Sequence, residues 1–60
     1  MVSPIDIQKA LGGMDYPATR AEIVKHAEQH GADAEVLTAL KRVEDREYEG
    51  PSEVSAAVFN

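Results

Sequence analysis

Sixty residues with eleven acids against six Lys and Arg, a net charge of -5, and no cysteine set tight bounds on this chain. So short a chain makes one domain, 1–60, whose core supplies only about 3–5 kcal/mol, and neither disulfides nor thiolate metal sites can staple it. The acidic balance repels nucleic-acid phosphates and anionic membranes, no apolar run reaches the length of a membrane span, and the first residues lack the pattern of a secretory leader, so a cytoplasmic protein is expected.

The first predicted element opens at Ser3-Pro4-Ile5-Asp6, with Ser at the N-cap, Pro at the first helical position and an acid three residues on. Ile7, Ala10, Leu11 and Met14 recur at helical spacing, and Gly12-Gly13 stops the helix near Leu11 and leaves Met14 to pack from the loop. The next start signal is the strongest in the chain. Pro17 biases Tyr16 toward an extended backbone, and Thr19 stands three residues before Glu22, the spacing of a capping box. Ala18 and Ile23 stand at the staple positions, Ile23, Val24 and Ala27 form one apolar stripe, and Gly31 suits the left-handed residue beyond a helix end.

Asp33 is placed to cap a third helix, with Glu35 in its first turn, Val36, Leu37, Leu40 and Val43 as its buried stripe, and Lys41 and Arg42 at its end. The stretch 44–49 reads as a charged, irregular linker in which Tyr48, the only apolar group, folds back onto the core. Gly50-Pro51-Ser52-Glu53 repeats the Pro-led start, Val54, Ala57 and Val58 face inward, and Phe59 and Asn60 are expected to fray. No segment alternates apolar and polar residues for long, so no strand is predicted. The expected fold is all-α: a compact bundle of four short helices, near 4–11, 20–30, 34–43 and 51–58. The second and third form a core pair with helix-turn-helix-like spacing.

Leu11-Gly12-Gly13, Tyr16-Pro17-Ala18-Thr19, Ala27, Gly31-Ala32, Val36, Leu40, Asp45-Arg46-Glu47-Tyr48 and Pro51-Ser52-Glu53-Val54 occur in an order that resembles a family of small prokaryotic proteins, catalogued as Domain of Unknown Function 2795. The resemblance spans roughly 5–58, and the Tyr-Pro-Ala and Asp-Arg-Glu-Tyr boxes are its most specific parts. Val43-Glu44 stands where the family usually has Leu-Pro, and Gly50 where it often has Ser, which bears on the local turns. The resemblance implies the fold and carries no activity.

Candidate chemistry is sparse. Glu22, His26 and His30 share a helical face at a spacing that can hold a transition metal, but no second ligand cluster stands elsewhere, and a solvated face is the plainer reading. Ser3, Ser52, Thr19 and Asp33 are explained as helix caps or first-turn residues, and Ser55 and Thr38 lack a histidine partner, so no catalytic residue, cofactor or metal ligand is assigned. The chain is therefore expected not to be an enzyme. Its expected role is a protein-interaction or regulatory accessory module, with an unknown protein partner or self-association as a homodimer. The candidate contact residues are Tyr16, Arg46, Tyr48 and Phe59: Arg46 and Tyr48 are of types enriched at binding hot spots, and Tyr16, Tyr48 and Phe59 are the chain's only aromatics. The alternative is a DNA-associated regulator using the pair 20–43. That reading needs a basic patch from Arg20, Lys25, Lys41, Arg42 and Arg46, although the outer face of the second helix of the pair offers Asp33, Ala34, Glu35 and Thr38.

Overall fold

The computed structural model describes residues 2–59; the fraying expected at Asn60 lies outside the described residues. Six elements follow one another: α1 (Pro4–Ala10), β1 (Ala18–Thr19), α2 (Arg20–Gln29), α3 (Ala34–Lys41), β2 (Glu47–Tyr48) and α4 (Pro51–Phe59). The four helices stand where the sequence places them, with ends shifted by one or two residues. The expectation of an all-α fold needs one correction. β1 and β2 pair as an antiparallel two-stranded sheet, Ala18 opposite Tyr48 and Thr19 opposite Glu47. Two-residue strands are too short to show an alternating pattern, and one of them lies inside the stretch read as irregular linker.

Local chemistry sets the helix boundaries. Both capping boxes form: Ser3 accepts from the Asp6 N–H and returns its own N–H to Asp6, and Thr19 does the same with Glu22. Hydrogen bonds from the Ser3 backbone and then its hydroxyl hold the Asp6 carboxyl below its ordinary value of 3.8. α2 ends as a Schellman motif. The Ala32 N–H reaches the Ala27 carbonyl at 3.0 Å and the Gly31 N–H reaches Glu28 at 3.1 Å, which requires the positive φ of 71° that glycine takes without a Cβ clash. Asp33 occupies the N-cap position of α3 but makes no side-chain capping bond, contrary to its predicted role.

The interior is one apolar cluster. Ile7, Ile23, Leu40, Tyr48 and Val54 are its largest fully buried side chains, each from a different element, and Ala18 and Ala27 let the backbones close over them. α2 packs most extensively on α3, as the core pair predicted from 20–43, while α1 and α4 pack on each other and on α3. The α2 staple positions meet in this cluster, with Ala18 and Ile23 both buried. No described helix is long and apolar enough to cross a membrane.

Candidate functional site

The four predicted contact residues fall into three different places. Tyr48 is wholly buried, which removes it from any contact surface. Its ring fills the core beneath the sheet, and its hydroxyl donates to the Glu44 carbonyl at 2.6 Å. Arg46 lies over that ring, 4.2 Å from its centre, donates to the Glu47 carbonyl at 2.9 Å and meets Glu53 Oε1 of α4 at 3.4 Å. Glu53 also accepts from the Glu49 N–H at 3.3 Å. Arg46 and Tyr48 together form a structural corner that fixes β2 to α4. Phe59 is 45% exposed at the end of α4.

Tyr16 is different. It lies half-buried in the loop before β1, its hydroxyl is out of contact with solvent, and that hydroxyl has no hydrogen-bond partner among the described residues. Burial raises its pKa above the ordinary 10.0, because the phenolate loses hydration and gains nothing in return. The ring borders an open groove of about 640 Å³ between the end of α1 and the start of α4. Leu11 and Met14 give it an apolar floor, and Gln8, Ser52 and Ser55 bring neutral polar groups to it. Gly13, at φ 74°, makes the turn that carries the chain from α1 to this wall; the Met14 N–H closes it on the Leu11 carbonyl at 3.1 Å. Three of the boxes that carry the family resemblance, Leu11-Gly12-Gly13, Tyr16-Pro17 and Pro51-Ser52, supply residues to this one groove.

A model of the family described as "Protein of unknown function (DUF2795)" matches residues 2–55. The chain belongs to this family. No curated protein and no solved structure matches the chain. The family match agrees with the resemblance and brings no activity, so what the shared boxes do follows from the groove and the Tyr48 corner alone.

The helical face of Glu22, His26 and His30 is organised for structure. His26 Nε2 donates to the Gly12 carbonyl at 2.8 Å, which ties α2 to the end of α1. The two imidazoles stack with centres 4.2 Å apart, and Glu22 is engaged in its capping box. Among the described residues no group of three His, Cys, Asp or Glu gathers as a metal site. Sequence reasoning missed the groove residues Gln8, Ser52 and Ser55, because each reads locally as a helix-surface or first-turn residue and only the packing of α4 on α1 brings them together.

Proposed function

We propose that this chain is a non-enzymatic protein-binding module that holds an extended, basic segment of a partner polypeptide in the Tyr16 groove. The observation that carries this reading is the open groove walled by the half-buried Tyr16 ring, whose own hydroxyl is shut away from solvent and makes no hydrogen bond among the described residues. A buried polar group left unpaired costs about 1–3 kcal/mol, a large share of what a domain of this size can hold. The groove itself carries one amide and two hydroxyls over an apolar floor, a set suited to the alternating amides and side chains of an extended backbone. The basic character follows from charge. Glu47 and Glu49 are exposed on the approach to Pro51 at the groove edge, on a chain of net charge -5.

Two of the chain's hydroxyls, those of Ser3 and Thr19, serve in capping boxes, and no histidine lines the groove beside Ser52 and Ser55 to activate either as a nucleophile. The DNA reading has less support, since two of its five cations face carboxylates. Arg20 lies 3.6 Å from Asp45 and Arg46 lies 3.4 Å from Glu53. Selection from a displayed peptide library tests the proposal. Lys- and Arg-containing peptides should be enriched, and their binding should be lost in Ser55→Arg, which fills and charges the groove, while Phe59→Ala leaves it intact. No enrichment, or binding indifferent to Ser55→Arg, overturns it.

A further inference from the structure

The outer face of α3 carries a second, shallower depression, apart from the Tyr16 groove. It has a volume of about 600 Å³, is mostly apolar and is lined by Val2, Ala34, Glu35, Thr38, Ala39 and Arg42. The opposite stripe of the same helix, Val36 and Leu40, is sunk in the core, so Ala34, Thr38 and Ala39 turn away from it, with Val2 of the chain start bordering the same depression. Arg42 is exposed, and its side chain makes no ion pair or hydrogen bond among the described residues.

We infer that this face is where a second copy of the chain docks, with the two α3 helices antiparallel. The argument is the order of charge. Glu35 and Arg42 are seven residues apart, two turns along one face. An antiparallel two-fold axis between Thr38 and Ala39 sets each Glu35 opposite the partner's Arg42 and each Arg42 opposite the partner's Glu35. The small pair Thr38 and Ala39 lies at the crossing point, where two helices come as close as about 8 Å. The same surface is thus its own complement, as a two-fold interface requires. An unrelated partner would need to carry this charge order reversed at the same spacing. A carboxylate has two oxygens and can accept from several donors, so pairing with Arg42 does not require Glu35 to give up any contact it already has.

The helix of this face has eight residues, roughly 12 Å of length, so the buried patch falls well below the ~800 Å² per partner of a standard interface. The dimer is accordingly weak, populated at millimolar and not at micromolar protein, and it loosens as salt is added. It goes beyond the Tyr16 groove and is independent of it.

Sedimentation velocity over a concentration series tests the inference, with circular dichroism confirming that each variant is folded. Glu35→Arg alone and Arg42→Glu alone should each lower self-association about tenfold, since both facing pairs turn repulsive. An equimolar mixture of the two variants should associate at least as well as the wild type. In the mixed dimer the introduced cation of one copy faces the introduced carboxylate of the other, and the unaltered Arg42 and Glu35 face each other at the opposite end. Ser55→Arg should leave association unchanged. A wild type that stays monomeric at millimolar concentration, single variants that self-associate undiminished, a mixture that fails to associate, or a dimer abolished by Ser55→Arg each overturns the inference.

Discussion

Tyr48 sits within β2 and Tyr16 two residues before β1, so the two tyrosines flank one small sheet, yet their surroundings differ in kind. Tyr48 has everything its side chain can use: a closed apolar pocket for the ring, a carbonyl for the hydroxyl and a guanidinium over its face. Tyr16 has a half-closed pocket and a hydroxyl with no partner among the described residues. The first arrangement is what a residue selected for stability needs. The second leaves a buried polar group unpaired on a ring that borders a groove, which stability alone gives no reason to keep.

The strongest way to break this comparison is to remove the rings. Tyr48→Ala should cost about 3–5 kcal/mol, comparable to the whole core of so small a domain, and leave the chain largely unfolded by circular dichroism at 25 °C. Tyr16→Ala empties one side of an already open groove and should leave a folded protein. Removing only the hydroxyls gives the sharper test, because the effects should have opposite signs. Tyr48→Phe loses the bond to Glu44 and should destabilise by about 1 kcal/mol in urea melts, whereas Tyr16→Phe relieves an unpaired group and should stabilise by about 1 kcal/mol. Shifts of the same sign in both would end the distinction.

A third test uses alkali. The Tyr16 pKa is raised in the fold, so the folded state keeps its proton where the unfolded chain has lost it. The stability this group contributes is whole below the ordinary value of 10.0 and is lost as pH rises through the folded pKa. Melting temperature should fall with pH above that value in the wild type, and less steeply in Tyr16→Phe. The smallest expected effect lies at the surface. Arg46→Met keeps much of the apolar stem over Tyr48 and loses the cation, and should cost about 0.5–1 kcal/mol in the same melts.

The helices were legible in the sequence because their signals are local. Ser3 with Asp6 and Thr19 with Glu22 act within one turn: the box predicted at Thr19 forms as read, and the N-cap predicted at Ser3 proves to be a box as well. The sheet was not legible, since Thr19 and Glu47 stand twenty-eight positions apart and neither strand is long enough to show a period. The candidate surface was legible by residue type and not by place. Tyr48 has the chemistry of a hot spot, but the pairing of Ala18 with Tyr48 turns it inward, and that pairing is a long-range fact. Tyr16 could be named because aromatics are scarce here, while its groove depends on α4 closing against α1. Asp33 shows the reverse failure, a favourable residue at a cap whose side chain does not bond.

Thr19 belongs to two elements at once. It is the β1 residue that faces Glu47, and its hydroxyl closes the first turn of α2. Releasing the ribbon therefore unfastens the helix beside it, and unwinding that helix from its start lets go of the ribbon. Amide protons in the two should exchange with solvent in a single cooperative event, with neither the ribbon nor α2 opening ahead of the other.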